Sequence, residues 1–239
     1  MFKKIRTYFR RGWSLTIPHA SSSFELLMNE LESGKRVVFT RWGDGEWEVV
    51  LGAKTEADSN VDGHQYFKSL TLALRDVLIQ NPHYYFGMQN LAYYKVMGRR
   101  IDRFLKQHQI CRSWLNADAF HYASEFQQFP RFVNHIKGKT TLLVGPIHLR
   151  SLKLFPFEHL EIPSVNCWLQ KDQILTEIEN RCKTKEYDLI IFCAGMAANW
   201  FVDILSKNIP ASLLDLGSVF DPYTGKMSRG YHTRVKGLG

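Results

Sequence analysis

The 239-residue chain has no apolar run near the roughly 18–20 residues that a membrane-crossing helix requires. Its opening stretch, MFKKIRTYFRRGW, scatters cations among its apolar residues, which is not the pattern of a secretory signal. Cysteine is scarce: the four, at 111, 167, 182 and 193, form no C-x-x-C pair and have no histidine at zinc-finger spacing. A reduced, cytoplasmic setting fits that usage, and Cys193, inside the apolar run DLIIFCAG, is expected to be a buried thiol. The G-x-S-x-G, P-loop and H-E-x-x-H patterns are missing too, which removes the commonest hydrolase, nucleotide-triphosphatase and zinc-protease readings. No repeat or low-complexity linker divides the chain.

What is present begins with charge. The formal net charge is +8, but it is not spread evenly. Lys3, Lys4, Arg6, Arg10 and Arg11 lie in residues 1–12, and Lys226, Arg229, Arg234 and Lys236 in residues 226–239, with no acid in either stretch. Removing those nine from 31 basic residues leaves 22 against 23 acids, so the body is close to neutral. The chain therefore divides into a basic N-terminal tail (1–20), one α/β body (21–225) and a basic C-terminal tail (226–239). A basic, aromatic-bearing tail suits peripheral contact with an anionic membrane, here its inner face, or with a polyanion; a solvated end fits the same composition.

Within the body, short β-rich runs alternate with helical patterns. SSSFELLMNELESGK offers a serine cap, Phe24, Leu27, Met28 and Leu31 at helical spacing, and a terminating Gly34. KRVVFT, HYYFGM, QICRSWL, TTLLVG, YDLIIFCAG and ASLLDLG read as strands. HQYFKSLTLALRDVLIQNP, residues 91–107, LQKDQILTEIENRCK and MAANWFVDILSKN read as helices. Apolar strands that do not alternate, separated by helices, predict a Rossmann-like α/β fold whose mainly parallel sheet is covered on both faces. In such sheets ligands bind beyond the C-terminal ends of the strands. The exits to inspect are thus 41–48, 116–118, 145–150, 194–198 and 215–221.

At the first exit stands TRWGDGEW. If the segment is extended, Asp44 and Glu46 project to one side and converge, while Gly43 and Gly45 let the backbone bend and a ligand approach. Two converging carboxylates repel unless a proton or cation lies between them, and Mg²⁺ or Mn²⁺ is the natural oxygen-liganded occupant. A polar turn, with the acids solvated or capping a helix, is the alternative. Arg41 is suited to a phosphate or carboxylate, or to balancing Asp44. Trp42 and Trp47 read as packing. CAGMAANW places Gly195, Met196 and Ala197 at a helix start where small side chains expose backbone N–H groups to an anion, although close packing needs the same residues and G-x-G-x-x-G is lacking. His148 and Arg150 follow one strand, Asn116 and Asp118 another. Asp215 ends a third strand, with Asp221 after it. Each has a bland reading as a cap or turn residue.

FTRWGDGEW resembles the R-[aromatic]-G-D-G-E-[aromatic] signature of bacterial glycosyltransferases of the GT-D fold. The block YDLIIFCAGMAANWFVDILSKNIPASLLDLGSVFDPY resembles the family's G-x-x-A helix start and its Asp-[aliphatic]-Gly strand end, and LLVGPIHL its middle strand and loop. Together these span residues 24–223. The resemblance implies that Asp44 and Glu46 are the metal and sugar-diphosphate acids. It also implies that Gly195 and Ala197 belong to the nucleotide-facing loop and that Asp215 is a site residue. Two departures stand out: Gly-Met-Ala-Ala replaces the usual Gly-Pro-Thr-Ala, and Ser218 replaces the usual histidine after Asp-[aliphatic]-Gly.

The expected chemistry is transfer of a sugar from a nucleotide-sugar, a UDP-sugar in preference, to a glycan, lipid-linked saccharide or glycoprotein acceptor. A Mn²⁺ or Mg²⁺ ion at Asp44 and Glu46, with Arg41 and the 195–198 helix start, would balance charge on the departing diphosphate. Asp215, Asp221 and His148 are the candidates for the base that takes the acceptor proton. Two other readings are open at this point: a nucleic-acid-directed protein (a binder, or an enzyme glycosylating modified bases) and a non-catalytic subunit of a glycan-synthesis complex.

Overall fold

The computed structural model describes residues 15–60 and 62–235. The order of elements is α1 (Ala20–Glu32), β1 (Val38–Trp42), α2 (Asp44–Val50), α3 (Lys68–Ile79), β2 (Tyr85–Met88), a π-helical turn (Ala92–Met97) running into α4 (Gly98–Gln107), β3 (Leu115–Asn116), α5 (Ala119–Glu125), α6 (Phe129–Ile136), β4 (Thr141–Gly145), β5 (Glu158–Glu161), α7 (Lys171–Thr184), β6 (Leu189–Phe192), α8 (Ala198–Ser206) and β7 (Ser212–Asp215). The strands form one sheet in the order β3-β2-β1-β7-β6-β4-β5, and every pairing between them is parallel. The α/β, Rossmann-like expectation holds.

The absence of apolar/polar alternation has the anticipated cause, since both faces of the sheet are covered. Val38, Leu142, Val144, Ile190, Phe192 and Leu213 point into a core shared with α2, α3, α4, α7 and α8. Phe39, Leu143, Leu189, Ile191 and Leu214 point the other way, into a core shared with α1, α5 and α6. Trp42 and Trp47 belong to the first core and are fully buried: Trp42 stacks on Phe86 at 5.8 Å, and the Trp47 indole donates to Met88 Sδ. Packing is their role, as expected.

Local chemistry moved several boundaries. The cap of α1 is His19, whose Nδ1 accepts from Ser21 N–H at 3.2 Å, so the serines lie inside the helix rather than at its cap. Of QICRSWL only its last residue, Leu115, is in a strand, the two-residue β3 at the sheet edge. β5, α5 and α6 were not anticipated; β5 reads EHLE, an edge strand with one buried residue and hence no apolar run to detect. The stretch taken as the start of a C-terminal tail continues to Val235 as folded chain, with a 3₁₀ turn at Gly230–Arg234 and His232 fully buried. Much of the N-terminal tail, residues 1–14, lies outside the described residues, as do 236–239. Among the described residues no helix is long and apolar enough to cross a membrane.

Candidate active site

A cleft of about 950 Å³ opens at the C-terminal ends of the strands, and all five exits singled out in the sequence line it. Arg41, Gly43, Asp44, Gly45 and Glu46 come from the β1 exit, Asn116 and Asp118 from β3, His148 from β4, Gly195 and Met196 from β6, and Asp215 and Asp221 from β7 and beyond. Ala197 is buried behind the cleft and does not line it. Arg150 is also outside it, paired on the surface with Glu161 at 2.8 Å.

The extended reading of Asp44-Gly45-Glu46 is corrected by the backbone. Gly43 is the extended N-cap of α2, and Asp44 is already helical. Glu46 occupies the third helical position and its Oε2 accepts from Gly43 N–H at 2.9 Å, a bond that satisfies one of the donors a helix start leaves open. The helix dipole favours acids in this first turn, so both carboxylates gather at the cleft without a strand's two-residue repeat. Asp44 is exposed to the cleft, and its Oδ1 accepts only from its neighbour, Gly45 N–H, at 3.0 Å. Burial pushes the Glu46 carboxyl above the usual range, against the pull of its backbone hydrogen bonds and of Arg41.

Beside them the end of β1 is locked to β7 and α8. The Asn199 side chain brackets the Arg41 peptide, accepting from its N–H at 3.2 Å and donating to its carbonyl at 2.7 Å. Asp215 Oδ2 accepts from the same N–H at 3.3 Å, and Oδ1 from Gly217 N–H at 3.0 Å. Desolvation raises the Asp215 carboxyl to about 7, with Arg41 opposing and Glu46 adding to the rise. The Arg41 guanidinium donates to the Ala117 carbonyl at 2.8 Å and reaches Asp118 at 3.5 Å. Burial works against its charge, yet Asp215 and Asp118 hold its pKa above the ordinary value. Arg41 thus balances Asp215 and Asp118, with no bond to Asp44. Gly217 makes this fit possible: its φ is +55°, and a Cβ there would lie 2.0 Å from Arg41 Nη1.

On the opposite wall His148 Nε2 and Asp221 Oδ1 are 2.9 Å apart, and Asp221 Oδ2 accepts from Ser228 Oγ at 2.6 Å. Two candidates chosen separately as acid or base therefore form one hydrogen-bonded pair, with Asp221 buried behind a partly exposed histidine. Cys193 lies nearby as the expected buried thiol, its pKa pushed up by burial and by Asp221.

Several lining residues escaped the sequence reading. His64 packs on Gly195, where a Cβ would meet its ring at 3.1 Å, and accepts from Asn166 N–H at 3.3 Å. His121, in α5, is buried with Nδ1 unpartnered; desolvation first and the Arg41 charge second drive its pKa well down, so the ring is neutral. Tyr231 stands edge-on to His121 at 5.1 Å. Lys226, Ser228, Arg229, Tyr231 and Arg234 bring the C-terminal segment over the cleft. Arg229 pairs with Asp62 on one rim and Arg234 with Glu125, at 2.6 Å, on the other. An acid-free basic stretch looks like a tail because the partners that fold it down are over a hundred residues away. The position where the family histidine was missed, Ser218, lies 3.4 Å from the Tyr231 hydroxyl, so an aromatic from that segment stands beside it.

No protein-family model and no curated protein matches the chain. Solved structures do. A glycosyltransferase (DUF1792) from Streptococcus sanguinis superposes with a TM-score of 0.65 at 17% identity, over 87% of this chain and 83% of that one. A second structure, a domain of unknown function 1792 described as having a distinct glycosyltransferase fold, gives 0.64 at 18% identity, over 87% and 80%. This chain has that fold. Identity this low carries the architecture alone; what the glycosyltransferase-type scaffold does here rests on the chemistry of its cleft.

Proposed function

We propose that the protein is a metal-dependent glycosyltransferase that moves a sugar from a nucleotide-sugar, a UDP-sugar in preference, to a saccharide-bearing acceptor such as a glycan, a lipid-linked saccharide or a glycoprotein. The observation that carries this reading is the meeting, in one cleft of a glycosyltransferase fold, of the Asp44/Glu46 acids with the His148–Asp221 pair. The lining holds eight Asp and Glu against five Lys and Arg, and although burial pushes Asp215 and Glu46 toward the neutral form, a diphosphate entering alone meets no excess of positive charge.

The residues fit a hard divalent cation. Asp44 keeps an oxygen free of protein donors, and Glu46 uses one oxygen on the Gly43 amide. Asp215 is less suited, because both of its oxygens already accept backbone N–H bonds. Asp44 and Glu46 would hold Mn²⁺ or Mg²⁺, which when bound supplies positive charge to the departing diphosphate. Among the described residues no group of three or more His, Cys, Asp or Glu side chains is arranged to hold a metal by itself, so the substrate's own oxygens would complete the coordination.

The protein's own part in the reaction is positional and acid–base. The acceptor hydroxyl oxygen bonds to the anomeric carbon as that carbon's bond to the diphosphate oxygen breaks. With Nε2–H directed at Asp221, the His148 ring offers Nδ1 to take the hydroxyl proton, and Asp221 stabilises the imidazolium that results. Arg41, fixed by Ala117 and Asp118, adds fixed positive charge near the acids. The same lack of excess positive charge counts against a nucleic-acid strand in this cleft.

The test is release of nucleotide from a panel of UDP-, GDP-, CMP- and dTDP-sugars with Mn²⁺, Mg²⁺ or EDTA. Metal-dependent release from one donor, lost in Asp44→Asn, is expected. Release indifferent to both EDTA and Asp44→Asn would overturn the reading.

A further inference from the structure

The strongest unassigned surface is the outer face of the helix that follows β2. Between Asp76 and Asp118 the chain has a single acid, Asp102, against Lys95, Arg99, Arg100, Arg103, Lys106 and Arg112. Arg99, Arg103 and Lys106 recur along α4 at intervals of four and three, which puts them on one helical face; Lys95 lies in the π-helical turn just before it, and all four are exposed. The opposite face, Met97, Ile101, Phe104 and Leu105, is buried in the core. None of the ion pairs among the described residues uses those four cations, and Arg100 makes only a long bond to the Leu51 carbonyl at 3.4 Å. Leu91 and Val96 sit beside them, 48% and 59% exposed. The polar residues of a helix that needed only solubility would not require unpaired cations of one sign flanked by bare aliphatic side chains.

Two further observations choose the partner. The first described residues lie against this same helix: Leu15 N–H donates to the Tyr93 hydroxyl at 3.0 Å and Ile17 N–H to that of Tyr94 at 3.2 Å. The residues that precede Leu15 in the sequence include Lys3, Lys4, Arg6, Arg10 and Arg11, so the stretch that carries them joins the described fold at this helix. The helical turn also begins directly after Gln89 and Asn90, which line the cleft. We propose that the Lys95/Arg99/Arg103/Lys106 face, with Leu91 and Val96, is a docking surface for an anionic phospholipid membrane. The cations lie at the headgroup plane, Leu91 and Val96 enter its apolar margin, and the cleft mouth is held next to the bilayer. A nucleic acid would use the cations and leave the two aliphatic side chains without a role. The inference rests on no step of the proposed reaction.

The test is cosedimentation of the full chain with phosphatidylcholine vesicles, with and without phosphatidylglycerol. Wild type should bind only the anionic vesicles, and less as salt rises. Arg99→Ala/Arg103→Ala/Lys106→Ala should lower the partition coefficient at least tenfold, since each cation near the surface contributes about a factor of five. Arg99→Lys/Arg103→Lys should bind like wild type, because a membrane reads charge and not guanidinium geometry. Leu91→Ser/Val96→Ser should weaken binding while leaving its salt dependence, and Lys139→Ala/Lys183→Ala, at the far end of the sheet, should change nothing. Circular dichroism checks folding; if the triple variant misfolds, the aliphatic pair and the distant lysine pair decide. Wild-type affinity in a folded triple variant, equal binding to neutral vesicles, or tighter binding to duplex DNA than to anionic vesicles would each overturn the proposal.

Discussion

The two ends of the sheet carry cavities of similar size and opposite character. At the C-terminal ends the cleft measures about 950 Å³; at the N-terminal ends a second hollow of about 830 Å³ lies between α1, α6 and α7. Both are rich in charge. In the second hollow several of the charged groups hold chain segments together. Arg36 donates to the carbonyls of Ala211, Ser206 and Ile209 at 2.8–3.1 Å, Asp188 Oδ2 accepts from Thr140 N–H at 2.8 Å, and Glu158 takes both Lys185 and Tyr187. In the first, the Asp44 carboxylate faces the space tied only to the adjacent Gly45 amide, and His121, among the lining residues, keeps a buried Nδ1 without a partner. Volume alone does not mark a site; the convergence of Asp44, Glu46 and the His148–Asp221 pair on one space does.

The sharpest way to break this contrast is His148→Ala. Removing a positioned base should lower turnover by about 10²–10⁴ with little change in melting temperature, measured by nucleotide release and calorimetry. Asp44→Asn should lower turnover by about 10²–10³ and likewise leave stability nearly unchanged, because its carboxylate supports only the adjacent amide. Large losses of stability in either variant would mean that the cleft is as structural as the far end.

The third prediction concerns pH. Asp215 rises from 3.8 toward about 7 on folding, chiefly through burial, so between those values the folded chain binds more protons than the unfolded one. Stability therefore falls as pH rises from about 4 to 7, by on the order of 2–4 kcal/mol, and then levels off; Glu46, raised for the same reason, adds to the slope. Chemical denaturation across this range should show the decline, and Asp215→Asn should flatten it. A wild-type stability rising with pH would contradict the burial assigned to Asp215. The smallest effect belongs to Arg36→Ala: loss of its carbonyl bonds should cost about 1–2 kcal/mol, or about 3–6 °C, with turnover unchanged.

What could be read from the sequence follows from where each signal resides. Strands β1, β4, β6 and β7 were legible because burial on both faces makes them continuous apolar runs, and once their ends were known the five exits lining the cleft followed. β5 was not, since an edge strand needs no such run. The conformation of Asp44 and Glu46 was misjudged because a glycine-flanked acid pair suits an extended exit and a helix start equally. The Gly43 amide, reached by a carboxylate three residues on, decided between them. The His148–Asp221 pair joins positions 73 apart, and the Arg229–Asp62 bridge positions 167 apart. No local pattern encodes such pairings.

The strand order has a consequence for how the molecule comes into being. β7 is the last strand synthesised, yet it lies between β1 and β6. Until Ser212–Asp215 has emerged, the chain can assemble only two three-stranded pieces, β3-β2-β1 and β6-β4-β5, each with a raw inner edge where the seventh strand belongs. Joining them closes contacts across about 175 residues, the kind of late, non-local step that sets the pace of folding. The strand that completes the sheet also delivers Asp215 to the cleft. A product interrupted before Ser212 would thus lack its keystone and the Asp215 and Asp221 carboxylates together.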